Sequence, residues 1–396
     1  MTPPTLSEVT VPFTPARMAA LLSPAVRVLG LGEPTHGVEA FLDLRNELFR
    51  HLVEHQGYRS IALESDCLSA LVADAYVAGH ADDLDHAAAH GLSHGFGTHP
   101  GNRELLRWMR EWNTAHPPQD RLRFDGIDGP LETSGAAAPG PALTTLHDLL
   151  SPHLELPVSL DELNSLLGDP SQWTDPGVMW DPAKSVGRTP EAGRLRLIAD
   201  DLSALLAART PQLLAATSPE HLWLANLYAR TATGLLRYHA AQADPGPQRL
   251  TSLVALRDLM MADNLSVVAD REAHRGPTLA FAHNSHLQRT ESSMQFGGQR
   301  LTWWSGGALL ATRLADRYAF AATTFGTRAD DHPAPDTLEG LLITAQPHPR
   351  AFLPAPALAA ALPPGTPLRT PADHTYFPLD PATVGQADAV VFLREI

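Results

Sequence analysis

The feature that most constrains the fold is an alternation of short apolar runs with helical periodicity between residues 26 and 128. Residues 26–31 and 60–63 are apolar runs of strand length, and they flank a segment with helical spacing. In that segment, residues 39–55, one apolar stripe is formed by Phe41, Leu44, Leu48 and Leu52. Gly57 is placed to end the helix. Strands that alternate with helices in this way predict βαβ units and a parallel sheet.

Later segments extend this pattern. Further buried strands are predicted at residues 123–128, 278–282, 318–324 and 389–393. Residues 129–142 are rich in Gly, Ala and Pro and are interpreted as a linker, and the Pro-rich residues 332–372 as loop with short elements. Residues 143–245 have helical stripes and no strand signal, and a long helix at 251–272 leads back to the strand at 278.

We therefore predict an α/β fold with a mostly parallel sheet core flanked by helices. A helical insertion is expected to cap the strand ends. The predicted domains are the first part of the core at 1–142, the helical cap at 143–245 and the second part of the core at 246–396.

Composition excludes several classes of partner. With 396 residues, 44% of them hydrophobic, the chain can bury a large core. A net charge of -15 and the lack of a long basic run argue against binding to nucleic acid or to an anionic membrane. Cys67 is the single cysteine, and we see no signal peptide or membrane span, so a cytoplasmic location is predicted. The oligomeric state is left open.

Polar groups cluster where the predicted strands end. Glu33 and His36 follow the first run, Glu64 ends the second, and Asp128 ends the strand at 123–128. The strand at 278–282 is followed by His283, Asn284 and His286. In open α/β sheets, ligands bind at the carboxyl ends of the strands. We therefore expect one polar site, with the strand that ends at Glu64 beside the strand that precedes Glu33.

The residue types at these strand ends suit acid–base catalysis. A histidine at position 36 can act as a general base if a carboxylate orients it, and Glu33 and Glu64 are both candidates. Two carboxylates that lie close together repel each other, so one of them should have a raised pKa unless a cation offsets the repulsion. Arg45, at the border of the helical stripe, is expected to hold both carboxylates through a bidentate guanidinium.

Other patterns leave alternatives open. His283 and His286 have a spacing compatible with metal ligation, but we favour a role as hydrogen-bond donors to a carbonyl or oxyanion, and we predict no metal and no cofactor. Five histidines between His80 and His99 can line a cleft, bind metal or do neither. Arg257 can bind substrate or pair with a carboxylate.

The second mechanism that the sequence allows is that of a serine hydrolase. Residues 91–95, Gly-Leu-Ser-His-Gly, match the nucleophile pattern G-x-S-x-G, and Ser93, Asp128 and His283 have a chain order that fits a triad. The nucleophile needs a strand running into a sharp turn, however, and the residues before Ser93 resemble helix or loop. We therefore predict that Ser93 is not the nucleophile.

Together these positions resemble the erythromycin esterase family. The resemblance spans roughly residues 26–330 and rests on the following positions: residues 32–37 (Gly-Glu-Pro-Thr-His-Gly), Arg45, Glu64, residues 105–109 (Leu-Leu-Arg-Trp-Met) with Asn113, residues 124–128 (Phe-Asp-Gly-Ile-Asp), Arg257 and Asp258 with Asn264, and residues 282–286 (Ala-His-Asn-Ser-His). Family members often place an aromatic residue and a glutamate before the Leu-Leu-Arg-Trp helix. This chain has Gly-Phe-Gly-Thr-His-Pro-Gly-Asn at 95–102 instead, which predicts a changed cleft wall.

The resemblance implies a metal-independent hydrolase that opens the lactone ester of a macrolide. It implies that His36 deprotonates water, that Glu33 and Glu64 orient the histidines, that Arg45 fixes the carboxylates, and that His283 and His286 assist at the carbonyl. Asn284, Arg257 and Asp128 are expected to bind the small-molecule substrate. The alternatives are a biosynthetic lyase or cyclase that uses the same residues, and a non-enzymatic binder of metal or tetrapyrrole.

Overall fold

The structure, a computed structural model, describes residues 4–132, 135–370 and 376–396. The strands are β1 Val11–Pro12, β2 Val28–Glu33, β3 Ser60–Asp66, β4 Arg123–Asp128, β5 Leu131–Glu132, β6 Gly135–Ala136, β7 Thr278–His283, β8 Glu291–Phe296, β9 Gln299–Trp304, β10 Tyr318–Thr327, β11 Arg350–Pro354 and β12 Ala389–Glu395. The first helices are α1 Leu6–Val9, α2 Pro15–Leu21, α3 Glu39–Gln56, α4 Ala70–Ala78, α5 Leu84–Gly91 and α6 Pro100–Ala115.

The remaining helices are α7 Gly140–Leu150, α8 Leu160–Leu167, α9 Pro190–Ala208, α10 Thr210–Ala216, α11 Pro219–Gln242, α12 Arg249–Glu272, α13 Asn284–Leu287, α14 Gly306–Leu314, α15 Leu338–Ala345 and α16 Ala355–Ala361. Short 3-10 turns lie at Phe96–Thr98, Pro118–Asp120, Pro170–Gln172, Pro176–Met179, Pro182–Lys184, Ala315–Arg317 and Val384–Gln386. The predicted helical character of residues 143–245 is confirmed by α7 to α11.

The predicted α/β class is confirmed by a mostly parallel sheet of eight strands, in the order β1-β11-β12-β10-β2-β7-β3-β4. β10 runs parallel to both β12 and β2, and β7 runs parallel to both β2 and β3. At one edge, β11 is antiparallel to β12 and to β1. Two small antiparallel pairs, β5-β6 and β8-β9, lie outside this sheet.

The helix α3 forms as its sequence pattern predicts. Its apolar stripe, Phe41, Leu44, Leu48 and Leu52, is fully buried in the core. The helix ends at Gly57, whose φ of 71° is left-handed and whose backbone N–H binds the carbonyl of Leu52. This is a C-terminal cap that glycine adopts without steric cost.

Two strands extend further than their apolar residues predict. β2 continues to Glu33, and β3 passes through Glu64 to Asp66. Both glutamates are buried, at 3% and 2% exposure. The apolar pattern stops short because the strands continue with charged residues: Glu33 is bound by His36 in the following turn, and Glu64 by the distant His283. In the predicted linker, the described residues form the β5-β6 pair and the start of α7; residues 133–134 of the linker and 371–372 of the Pro-rich stretch lie outside the described residues.

The chain divides into two compact units, and each has its own core. The first comprises residues 1–65, 69–127 and 265–396, and the second comprises residues 66–68 and 128–264. The first contains the large sheet and buries an apolar cluster that includes Leu29, Phe41 and Leu279. Within the ranges that the structure covers, no helix is long and apolar enough to cross a membrane.

The second unit is helical and packs around Leu143, Leu195 and Leu202. It contains an open cavity of about 250 Å³ lined by residues of α9, α11 and α12. The lining combines charged groups such as Arg230 and Asp263 with apolar ones such as Met260.

Candidate active site

The carboxyl ends of β2, β7 and β3 bring the predicted acid–base groups together in the first unit. Glu33 on β2 lies in register with His283 on β7, and the backbone N–H of His283 donates to Glu64 Oε2 at 2.7 Å. The expectation that β2 and β3 are neighbours is wrong, because β7 lies between them. Glu33 and Glu64 therefore approach the site from opposite sides of His283.

Glycines shape the turn that follows β2. A Cβ on Gly32 would lie 2.2 Å from Asn284 Oδ1, so a side chain there would displace Asn284. Gly37 has a left-handed φ of 74°. Both positions therefore restrict the residue type to glycine, one by close approach and one by conformation.

His36 is placed between two carboxylates. Its Nδ1 lies 2.7 Å from Glu33 Oε1, and its Nε2 lies 3.6 Å from Glu64 Oε1. The ring also packs against Phe96 and His283, each at a centroid distance of 5.3 Å. Its side chain is 38% exposed, so Nε2 can interact with both Glu64 and a molecule that enters from outside.

The carboxylates set the charge of His36. Desolvation by itself lowers the pKa of His36, but the charge of Glu64 and the hydrogen bond to Glu33 outweigh it and raise the pKa to about 10. Burial raises the pKa of Glu33, and the hydrogen bond to His36 offsets part of this effect. At neutral pH His36 is therefore predominantly an imidazolium held by Glu33.

His283 has the opposite electrostatic character. Burial, with the neighbouring positive charge of His36, lowers the pKa of His283 to about 3, so its ring is neutral at neutral pH. Its Nε2 lies 3.0 Å from the carbonyl of Pro34 and acts as the donor, while Nδ1 accepts the backbone N–H of Ser285 at 3.1 Å. Both ring nitrogens are therefore engaged by protein groups.

Glu64 connects the remaining histidine to the site. Its Oε1 lies 3.4 Å from His286 Nε2 as well as 3.6 Å from His36 Nε2. Asn284, the first residue of α13, uses its side chain differently: its Nδ2 donates to the carbonyl of Thr323 at 2.8 Å. Asn284 is thus bound to β10, and its predicted role in substrate binding stays a prediction.

The prediction that Arg45 holds the two carboxylates is wrong in its contacts. The guanidinium is fully buried, and it donates to Asn102 Oδ1 at 2.7 Å and to Asn46 Oδ1 at 3.0 and 2.8 Å. Its charge still acts at a distance, because it lowers the pKa of Glu33 against the larger opposing effect of burial. The apolar stripe predicts the position of Arg45 on its helix, but it carries no information on the two asparagines that bind the guanidinium.

Asp128 and Arg257 bind each other in the second unit. Asp128 is fully buried, and its Oδ2 accepts from Arg257 Nε at 2.9 Å and from Nη2 at 2.6 Å. This is the structural pairing that the sequence left open for Arg257. Their proposed contact with substrate stays a prediction.

The loop at residues 95–102 forms one wall of the site. Phe96 packs on His36, its carbonyl accepts from Asn102 Nδ2 at 2.9 Å, and Asn102 in turn binds Arg45. Together with Glu33 and Glu64 these residues line a cavity of about 10 Å³, which is room for about one water molecule. Phe96 and Asn102 were not predicted as site residues, and their only sequence signal was the departure from the family pattern.

Of the other candidate motifs, the histidine segment reaches this constellation at His99, whereas Ser93 is not placed as a nucleophile. Ser93 lies in a turn after α5 and shares a hydrogen bond with Ser65, so the strand that a nucleophile elbow needs does not precede it. Of the histidines between 80 and 99, His94 and His99 pack on Phe96, while the rings of His86 and His90 contact each other at a tilt along α5. Among the described residues, no group of three or more His, Cys, Asp or Glu side chains is arranged to hold a metal ion.

Comparison with known families decides the classification. A family model described as erythromycin esterase matches residues 53–396. The chain belongs to the erythromycin esterase family. Because the match begins after Arg45, the positions of Glu33, His36 and Arg45 rest on the geometry above and on the motif at 32–37. Membership supports an ester hydrolase that acts on a small molecule.

Solved structures share the erythromycin esterase fold of this chain. A Bacillus cereus protein is similar with a TM-score of 0.72 and 18% identity, over 98% of this chain and 96% of its own. A succinoglycan biosynthesis protein is similar with a TM-score of 0.71 and 16% identity, over 99% and 95%. The erythromycin esterase EreC, as a histidine-to-asparagine mutant in an open conformation, is similar with a TM-score of 0.68 and 19% identity, over 96% and 93%.

Proposed function

We propose that this chain hydrolyses an ester or lactone by general-base activation of water at His36. The observation that supports this proposal is the position of the His36 ring between Glu33 and Glu64 at the strand ends. Glu33 fixes Nδ1, which leaves Nε2 as the nitrogen that exchanges a proton with the reacting molecules. The substrate is proposed to be a macrolide or another polyketide-like ester or lactone, bound without a cofactor.

The proposed reaction has two proton transfers. Water donates a proton to neutral His36 Nε2 while its oxygen bonds to the carbonyl carbon, and His36 then gives that proton to the oxygen of the alkoxide that leaves. His286, beside Glu64, is proposed to donate to the carbonyl oxygen as negative charge develops there. His283 is less suited to that role, since both of its ring nitrogens are already engaged.

The raised pKa of His36 has a consequence for this mechanism. A general base must be unprotonated, and with a pKa of about 10 only a small fraction of His36 is neutral at pH 7. Base catalysis by His36 therefore requires that activity of the free enzyme rises with pH across the neutral and alkaline range.

The same observation favours a second candidate. An imidazolium that is present at neutral pH is a ready general acid, which suits dehydration, cyclisation or epoxide opening in a biosynthetic lyase or cyclase. For such an enzyme, activity is highest below the pKa of His36 and falls as the pH approaches about 10.

A pH profile with a matched variant separates these two functions. We expect kcat/KM for a p-nitrophenyl ester or a macrolide lactone to rise from pH 6 towards about 10, the pKa of His36. We expect His36→Gln to lower kcat by at least about 100-fold, the usual scale for acid–base catalysis. His90→Gln, at an exposed position on α5, is the control and should keep normal activity. Near-normal turnover in folded His36→Gln would remove His36 from the mechanism.

A further inference from the structure

Phe377 lies near the C-terminus, outside every motif considered above, and contacts the turn that carries the catalytic histidine. Its backbone N–H donates to the carbonyl of Pro34 at 3.0 Å. The same carbonyl accepts from His283 Nε2 at 3.0 Å. A carbonyl oxygen has two lone pairs, so these two donors satisfy it fully and fix the peptide between Glu33 and His36.

The ring of Phe377 also contacts the active site. It meets the ring of His283 edge to face, at a centroid distance of 4.8 Å and an angle of 76°. His283 in turn contacts His36 at 5.3 Å. Phe377 therefore reaches His36 along two routes, through the Pro34 carbonyl and through the His283 ring.

The residue that precedes Phe377 is anchored in the core. Tyr376 is 2% exposed, its hydroxyl donates to Glu339 Oε1 at 3.1 Å, and its ring packs on Phe325 at 4.7 Å. Glu339 is itself fully buried on α15 and accepts from Thr324 at 2.9 Å. This anchor fixes the backbone next to Phe377, and so gives the N–H of Phe377 a defined position.

We infer that Phe377 is a positioning residue that holds the Glu33–His36 turn and the His283 ring in register with each other. Its effect on turnover rests on the proposed function. Its effect on His283 does not, because it can be measured on the protein without substrate.

Loss of the Phe377 ring has a specific electrostatic consequence. His283 faces the charged or titratable groups of His36, Glu64 and His286, and burial is the main reason that its pKa lies near 3. Without the ring, water reaches His283, so its pKa should move upward towards the ordinary value of about 6.5. A purely structural contact elsewhere in the core would not move this titration.

The test is the titration of His283 by NMR on ¹⁵N-histidine-labelled full-length protein. The signal of His283 is assigned from the spectrum of His283→Asn. In the wild type, we expect His283 to stay neutral, with its proton on Nε2, down to about pH 4. In Phe377→Ala its pKa should rise by at least about one unit, and kcat should fall several-fold with little change in KM.

Matched variants keep the test decisive. Phe377→Leu, with the same readout, replaces Phe377→Ala if the latter does not fold. The control is Phe392→Leu, at a fully buried position on β12, which should lower the melting temperature without altering the titration of His283. An unchanged titration in both Phe377 variants, or an equal shift in Phe392→Leu, would overturn the inference. A shifted titration in a protein that hydrolyses no ester would retain the positioning role and reject the proposed function.

Discussion

At the scale of the residue, two neighbouring histidines have opposite protonation states. His36 lies beside two carboxylates and its pKa is raised, whereas His283 is buried against His36 and its pKa is lowered. Because the charge on one disfavours a charge on the other, the candidate site combines a histidine that is charged at neutral pH with a neutral one that binds the backbone. This division of roles follows from contacts that are made after folding and is absent from the spacing of the motifs.

The Glu64 charge is the largest of the effects that raise the pKa of His36, so its removal should lower that pKa. We expect Glu64→Gln to move the titration of His36 from about 10 towards about 6.5, and to shift the pH dependence of kcat/KM to lower pH by the same amount. NMR titration of His36 and a pH–rate profile measure the two shifts independently.

The control for this prediction is Glu54→Gln, since Glu54 is a half-exposed carboxylate on α3. If His36 titrates in Glu64→Gln as it does in the wild type, the electrostatic link between the two residues does not exist.

Part of the candidate site could be predicted from the sequence. Glu33, His36, Glu64 and His283 follow from the rule that polar residues at the ends of parallel strands converge. Phe96 and Phe377 could not be predicted, because loops carry them into place and loops have no periodicity to read. Arg45 is an intermediate case, since its helix was predicted and its asparagine partners were not.

At the scale of the element, the sequence predicts which strands form better than it predicts their neighbours. Residues 123–128 and the later runs at 318–324 and 389–393 are strands as expected. Strand order is different, because parallel strands are joined through long crossovers and their local patterns do not specify a partner. The local sequence pattern therefore does not specify the place of β7 between β2 and β3.

The strand β4 carries a buried carboxylate whose ionisation should affect stability. Burial raises the pKa of Asp125 to about 7, and Arg271, at 3.3 Å, offsets part of this effect. The folded pKa lies above the unfolded value of 3.8, so this stabilising contribution is complete below about pH 3.8 and is lost as the pH rises through 7.

We therefore expect the free energy of unfolding of Asp125→Asn to decline less between pH 4 and 7 than that of the wild type. Urea unfolding at both pH values measures this difference. Asp270→Asn, at an exposed position on α12, should follow the wild type. If the free energy of unfolding declined between pH 4 and 7 by the same amount in Asp125→Asn as in the wild type, Asp125 would already be ionised in the folded protein throughout this range.

At the scale of the whole molecule, the many histidines of this chain raise the question of metal dependence. The sequence has 19 histidines, and those that meet in the candidate site already bind protein groups. His36 Nδ1 binds Glu33, and both nitrogens of His283 are engaged. Among the described residues, no group of three or more His, Cys, Asp or Glu side chains has the arrangement that the ligands of a metal site normally take on rigid elements.

We expect activity to survive prolonged dialysis against EDTA with unchanged kcat and KM. Elemental analysis of the purified protein should find zinc and iron well below one equivalent per chain. Recovery of activity only after a metal is added back would contradict this expectation.

The position of β7 also determines when the site can assemble. Pro34 and His283 are in contact although they lie 249 positions apart in the chain, and Glu64 and His283 lie 219 positions apart. During synthesis, β2 and β3 leave the ribosome long before β7, the strand that lies between them. Domains generally fold as units, so the sheet can form only after β7 has been synthesised. Until then, the facing edges of β2 and β3 lack the partner that covers them, and such unpaired edges favour aggregation. Contacts this distant in sequence predict slow folding, in which the candidate site is among the last features to form.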